Sequence, residues 1–365
     1  HDGIKVQLRQ SARSGRVPHA QLFAERKVSG ALPMAIAFAR YLQCQSRSEV
    51  DACGECSSCK QMSALAHPDV HFSFPFISEG KEDNSENHLT AFRKLIKADP
   101  YADQDGLLHA YGASNKRMMI SVAEASRILH IQSLKNFGSS HRVTIVWLAD
   151  HLHLSAQNKL LKLLEEPQPG QVFLLICRKT ESLLPTVVSR CQLLHFQSLS
   201  SDQIASLLQS VYSIDEQAAV AAAHFAEGDV AVANHMAHKD EDLLRFADFF
   251  VRWTRVCYAA RFADVLDWCA EVAKLSRDEL LAFFRFTASI LEESLRLRYS
   301  GDDFAHPSFE RSGFKMKTFA SLLPTSGLDL VVAEIDKSSR ALSQNVHARL
   351  LLFQLSMQLM RGFKM

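Results

Sequence analysis

The sequence predicts an α/β domain with a mostly parallel sheet over residues 1–197, followed by purely helical segments. Three observations point there. Short β-rich runs alternate with helical patterns as far as Gln197, several of those runs are continuously apolar, and beyond Gln197 the strand signals stop. Continuous apolar runs fit strands covered on both faces by helices, and regular alternation fits an open parallel sheet. The chain of 365 residues is too long for one ordinary core. Its 47% apolar and 22% charged residues describe a globular chain, not a disordered or fibrous one.

The strand runs are Gln21 to Phe23, Val70 to Phe74, Val143 to Trp147, Val172 to Ile176 and Leu193 to Phe196. A helix is expected over Met34 to Leu42. The polar and acidic stretch from Ser78 to Arg117, with a short helical piece around Phe92 to Lys97 and with Gly106 and Gly112, reads as a surface excursion of the first domain. Ser200 and Ser201 suit the N-cap of a helix through Ile204 and Leu208. An Ala-rich helix over Ala218 to Ala226 ends near Gly228, closing a small helical unit at 198–238. From Asp240 amphipathic patterns dominate. Phe246, Phe249, Phe250 and Trp253 form one stripe, read as a bundle core and not as a cofactor box. Further helices are expected over Asp278 to Arg298, Gly327 to Leu342 and His347 to Arg361.

Charge excludes one class of partner recognition. Lys and Arg total 41 against 40 Asp and Glu, a formal net charge of +1, so affinity through a global basic field is not expected, although a local patch is compatible. No apolar run reaches bilayer-spanning length, and no signal-peptide core stands near the start. The expectation is a cytoplasmic protein, with an initiator and a short leading segment before His1.

Of the eight cysteines, Cys177, Cys191, Cys257 and Cys269 stand singly. Cys44, Cys53, Cys56 and Cys59 form a C-x8-C-x2-C-x2-C cluster. Two short steps sharing Cys56 bring three thiolates together, and Cys44 arrives from the preceding helix. Four soft anionic sulfurs suit tetrahedral zinc with Zn–S distances of roughly 2.3 Å. With all four positions supplied by protein, the site is expected to be structural. Gly54 gives the knuckle its turn, and Lys60 and Arg47 could offset thiolate charge. His67 and His71 are read as loop and strand histidines. A redox pair would need only two cysteines, and iron–sulfur clusters use other spacings.

The segment Leu22 to Pro33 stands between a strand and a helix, where a phosphate loop G-x-x-x-x-G-K-[ST] would be. In that register Glu25 takes the first Gly position, Gly30 the second, Ala31 the Lys and Leu32 the Ser/Thr. Lys would reach the β- and γ-phosphates and the hydroxyl would hold Mg²⁺; Ala31 and Leu32 can do neither, and Glu25 adds a negative charge beside any phosphates. At the end of the strand over Val143 to Trp147, where an ATPase carries acidic residues, stand Trp147 and Leu148. Asp150 lies beyond, as a cap or loop carboxylate. Both positions indicate a nucleotide-hydrolase shape without hydrolysis.

Three segments, Arg16 to Phe23 (RVPHAQLF), Asn158 to Pro167 (NKLLKLLEEP) and Leu184 to Gln192 (LPTVVSRCQ), resemble bacterial clamp-loader subunits, as do the cysteine cluster and His67-Pro68-Asp69. The resemblance covers essentially all of residues 10–197. It is looser at Ser343 to Leu351 (SQNVHARLL), where Asn345 and His347 match the family in part. It implies a P-loop NTPase-like AAA+ module at 1–197 with its zinc module at 44–59, a helical lid at 198–238 and an all-α oligomerisation collar at 239–365. It further implies a pentameric assembly with gamma/tau and delta subunits that opens a ring-shaped sliding clamp and loads it onto primed DNA. The crippled loop places this chain with the family's non-hydrolysing, stator-like branch, binding no ATP itself. The Ser189-Arg190-Cys191 motif is where the family carries an arginine finger, so Arg190 would complete a neighbour's ATP site. Ala231 stands where ATP-binding relatives carry a sensor arginine. Two other readings are an ATP-hydrolysing gamma/tau-type subunit, which Ala31, Leu32, Trp147 and Leu148 oppose, and a zinc-dependent nucleic-acid-binding module, which would need strong, salt-sensitive DNA affinity.

Overall fold

The structure, a computed structural model, describes residues 1–365 apart from 79, 81, 114–115, 135–136, 139, 238–239, 301–313 and 344–345. Gln344 and Asn345 of the C-terminal motif, with His238 and Lys239 at the expected 238/239 boundary, therefore lie outside the described residues. The chain forms two compact units. One comprises His1–Ser200 with Glu227–Ala231, and the other Ser201–Ala226 with Val232–Met365.

In the first unit, β1 (Ala20–Glu25), β2 (Val70–Ser73), β3 (Arg142–Val146), β4 (Gln171–Cys177) and β5 (Gln192–Phe196) form one sheet in the order β2-β3-β4-β1-β5. Every pairing is parallel. All residues of β1, β3 and β4 are buried, which is why their sequences run apolar without alternation. The side chains still alternate between faces. Phe23, Ile145, Leu174 and Ile176 join one core cluster with Leu8, Leu32 and Phe38. Leu22, Val146, Phe173 and Leu175 join the opposite one with Ile128, Ala156 and Leu160. The first face is covered by α1 (Asp2–Arg13) and α2 (Ala31–Gln43), the second by α6 (Val122–Ser133) and α7 (Leu154–Glu165).

Each run expected to be a strand is one, extended by a residue or two or trimmed at one end. The 78–117 stretch is more than a surface excursion. It holds α4 (Leu89–Ala98) and α5 (Gln104–Ala110), and Phe92, Ile96 and Leu107 lie in the first core cluster. Phe92 stacks on Phe74 at 4.3 Å between ring centroids. Glu82 and Glu86 of the acidic lead-in are exposed while Ser85 is buried, and the amphipathic helix behind them closes over the sheet.

The second unit contains only helices among its described residues. They are α9 (Ser201–Tyr212), α10 (Glu216–Phe225), most of α11 (Val230–Ala237), α12 (Asp240–Tyr258), α13 (Phe262–Val272), α14 (Arg277–Ser300), α15 (Met316–Leu322), α16 (Thr325–Ser343) and α17 (Ala348–Gly362). The aromatic stripe is core: Phe246, Phe249, Phe250 and Trp253 are all buried. Trp253 stacks on Trp268 at 5.6 Å and donates its indole N–H to Ser356 Oγ at 2.9 Å. Among the described residues no single helix is long and apolar enough to cross a membrane.

Candidate functional site

The turn after β1 carries the position expected for phosphates. β1 ends at Glu25, Gly30 caps α2 with φ 115°, and α2 begins at Ala31. Glu25 is buried, and its Oε2 accepts hydrogen bonds from Ser29 N at 3.0 Å, Ser29 Oγ at 3.3 Å and Ala31 N at 3.1 Å. Burial raises its pKa above the usual carboxylate value, opposed by the Ser29 and Ala31 amides and by the charge of Arg178. Ala31 and Leu32 have no access to a ligand, since both side chains lie in the core cluster beneath the sheet.

A second segment closes on the same turn. Asp229 Oδ2 accepts from Val28 N at 3.2 Å and from Arg178 Nη2 at 2.9 Å. The amide of Val230 donates to Val28 O at 2.8 Å, and Lys27 Nζ donates to Glu227 O at 2.6 Å and Oε2 at 2.9 Å. Ala231 follows in the first turn of α11, its amide donating to Asp229 Oδ1 at 3.1 Å. Asp229 and Arg178 were not singled out from the sequence. About 200 residues separate Asp229 from Val28, and no local pattern links them.

At the end of β3, Trp147 and Leu148 are buried, with the Trp147 ring 5.8 Å from that of Phe92. Leu148 has φ 53°, an uncommon left-handed conformation for a side chain of its size. Asp150 stands in the short turn Ala149–His151 and accepts from Arg178 N at 3.4 Å, which makes it a loop carboxylate. Trp147 and Leu148 are thus apolar core residues at the end of this strand.

The cysteine cluster comes together as its spacing indicates. Cys44 follows α2, and Cys56 caps α3 (Ser57–Ser63). The four Sγ atoms lie within 4.8 Å of one another, with Cys53 and Cys59 at 3.9 Å. A tetrahedron with arms of roughly 2.3 Å has edges of about 3.8 Å, so the donor set fits zinc. Backbone amides of Cys53, Cys56 and Cys59 donate to the sulfurs of Cys44, Cys53 and Cys56 at 3.2–3.4 Å. Amide bonds from Gln45 and Cys59 hold the Cys56 thiol down at about 6, whereas burial pushes Cys59 up to about 11 against a hydrogen bond from Arg40. Gly54 has the expected positive φ of 81°.

Arg40, which was not singled out from the sequence, hydrogen-bonds the Cys59 sulfur. Arg47 instead lies over Tyr41 and donates to Ala12 O. Arg40 stands in the last turn of α2, four residues before Cys44. His67 Nδ1 accepts from Asp69 N at 3.1 Å, and His71 stands on β2; neither joins the cluster.

Arg190 follows α8 (Pro185–Val188), with Ser189 as its cap and Cys191 packed against the second core cluster. Its Nη1 donates to Thr186 O at 2.9 Å and its Nη2 pairs with Glu165 Oε1, at the end of α7, at 2.7 Å. The side chain is 34% exposed. The guanidinium is thus anchored at the surface and remains reachable from outside.

Residues 1–200 match the family model described as DNA polymerase III, delta subunit. DNA polymerase III subunit delta' of Yersinia pestis is 27% identical over 304 residues, covering 80% of this chain and 74% of that relative. Subunit delta' of Bacillus subtilis (strain 168) is 28% identical over 201 residues, covering 55% of this chain and 49% of its own length. A Thermotoga maritima crystal structure of a DNA polymerase III, gamma subunit-related protein covers 98% of this chain and 99% of its own, at 14% identity and a TM-score of 0.42. With its family match over more than half its length and relatives that carry the delta' name, the chain belongs to the DNA polymerase III delta-subunit family, on its delta' branch.

Proposed function

We propose that this protein is a non-hydrolysing, stator-like subunit of a clamp loader, and that it supplies Arg190 to the ATP site of a neighbouring subunit. The observation that carries the first half is the occupied turn: a buried carboxylate lies against the amides that would hold phosphate, and Ala31 and Leu32 replace the Lys and the hydroxyl. Its partners in this reading are gamma/tau and delta subunits, with the sliding clamp and primed DNA bound by the assembly in the cytoplasm. Residues 1–197 act as the AAA+ module, 198–238 as a lid and 239–365 as a collar that holds the oligomer.

Arg190 supports the second half by its place. It stands in the Ser189-Arg190-Cys191 motif, anchored at two points and still partly exposed. A guanidinium delivered to another subunit's γ-phosphoryl group stabilises charge that spreads over its oxygens during transfer, an effect worth roughly 10³ to 10⁵ in rate at the site served. Zinc on Cys44, Cys53, Cys56 and Cys59 supplies cross-linking of the 44–59 segment and no reaction chemistry, because no open ligand position is left.

The test is Arg190→Ala in a complex reconstituted with gamma/tau and delta subunits. Folding, zinc content and complex formation should be retained while DNA-dependent ATP turnover falls. Unchanged turnover rules out the finger. ATP hydrolysis by the isolated wild-type chain rules out the non-hydrolysing reading and favours a gamma/tau-type enzyme.

A further inference from the structure

We propose that Arg40 is a positioning residue of the cysteine cluster: its guanidinium hydrogen-bonds the Cys59 thiolate, offsets charge there that water does not reach, and so sets how tightly the four cysteines keep their metal. The proposal rests on the zinc reading of Cys44, Cys53, Cys56 and Cys59, and it is independent of Arg190.

A dication on four thiolates keeps a double negative charge, and the four sulfurs are not equally placed to bear it. Cys53 is exposed and Cys56 half-buried, so both are open to water. Cys59 is wholly buried, at 0% exposure. An anion so placed is unfavourable unless it is paired and hydrogen-bonded. The sulfurs of Cys44, Cys53 and Cys56 accept from backbone amides. Cys59 accepts from the Gly54 amide and, in addition, from the Arg40 side chain. A cation thus stands at the sulfur that solvent does not reach.

The packing around the guanidinium leads the same way. Arg40 Nη2 lies 3.2 Å from the point where a Cβ on Gly54 would stand. Gly54, between Cys53 and Cys56, therefore gives the guanidinium its seat as well as giving the knuckle its φ of 81°. Arg40 Nε is enclosed and has no hydrogen-bond partner among the described residues. An unpaired buried donor has a cost, which attraction to clustered thiolates offsets and neutral thiols would not. The other two cations are placed differently. Lys60 is exposed, where solvent screens its charge, and Arg47 lies over Tyr41. Replacing a hydrogen-bonding partner of a metal ligand typically weakens metal affinity by about 10- to 100-fold.

The probes are zinc and cobalt(II) on the full chain, in wild type, Arg40→Met, Arg40→Lys and, as a packing control on the same helix, Phe38→Leu. Arg40→Met should still take up metal but yield zinc to a competing chelator about 10- to 100-fold more readily. Its sulfur-to-cobalt charge-transfer bands should move to longer wavelength, since a sulfur relieved of a hydrogen bond donates more strongly. Arg40→Lys should recover part of the retention, because the charge is kept. Phe38→Leu loosens the core side of α2 and should leave the bands in place. Wild-type bands and wild-type retention in Arg40→Met overturn the proposal, and so does an equal band shift in Phe38→Leu. A measurement on the wild-type chain covers the case in which neither Arg40 variant folds. Loaded with a magnetic cadmium isotope, it should show coupling of the Arg40 guanidinium protons to the metal through the Cys59 sulfur. The amides of Cys53, Cys56 and Cys59 serve as reference, and coupling from them without coupling from Arg40 refutes the contact. A wild-type chain that takes up no metal defeats the zinc reading and this proposal together, whereas metal held alike by wild type and Arg40→Met defeats the role of Arg40 alone.

Discussion

His71 stands on β2 among Asp69, His67, Arg127 and Arg142, and burial together with the two guanidinium charges lowers its pKa to about 4. The folded chain therefore holds a neutral imidazole where the unfolded chain protonates near the ordinary value of 6.5. A depressed pKa of this kind gives stability that is complete above pH 6.5 and lost as pH falls toward 4, at about 1.4 kcal/mol per unit. Other groups, the clustered cysteines among them, also titrate as acid is added, so the informative quantity is the difference between wild type and His71→Gln. The wild-type melting midpoint should fall further than the variant's between pH 6.5 and 4.5; parallel curves would show that His71 does not contribute. At this scale the clustering of the four cysteines was legible, because all four lie within one short stretch of sequence. Glu25 was visible as a misplaced charge, but its bonds to Ser29 and Ala31 were not, since a one-dimensional register does not say whether a side chain folds back. Asp229 and Arg178 could not be found at all, because their pairing exists only once distant segments meet.

The packing of α16 on α17 depends on a close backbone approach. A Cβ on Gly327 would lie 2.6 Å from Gly362 O, nearer than real side-chain carbons come to backbone oxygen. Since the obstruction is main chain, it cannot rotate away as a side-chain tip could. Gly327→Ala should therefore destabilise the second unit by about 1–3 kcal/mol, the usual cost of overpacking, in spite of the better helix propensity of alanine. A denaturant titration followed by far-UV circular dichroism measures it, and an unchanged or raised midpoint would contradict the crossing. Both helices were foreseen from their apolar periodicity, but this contact was not, since two glycines far apart in sequence carry no mark of their meeting. The strands of the first unit were the most legible elements: in β3 and β4 full burial forces apolar runs without alternation, and no amphipathic helix imitates those. α4 was recognised as helical but placed at the surface, because the acidic residues before it hid the Phe92 and Ile96 face that closes the core.

At the scale of the chain, the cysteine cluster belongs wholly to the first unit and runs from the end of α2 into the first turn of α3. Tyr41, Leu42, Met62 and Leu65 around it contribute to the core cluster under the sheet. Metal held there would bind the folded arrangement of four thiolates and not the unfolded chain, so its binding free energy adds to the stability of that unit. The second unit has its own aromatic core around Trp253, Trp268 and Phe283 and no residue in the cluster. Removing metal with a chelator, or replacing Cys56 with Ser, should consequently act on one unit alone. Hydrogen exchange read peptide by peptide separates the two. Protection should drop across β1–β5 and α2–α3, while α12–α14 and α16–α17 keep theirs, and thermal unfolding should divide into an early and an unshifted transition. Zinc content of the native chain near zero would remove the premise. An equal loss of protection in both units would show that the chain unfolds as a single cooperative block, with the first unit's metal supporting the whole.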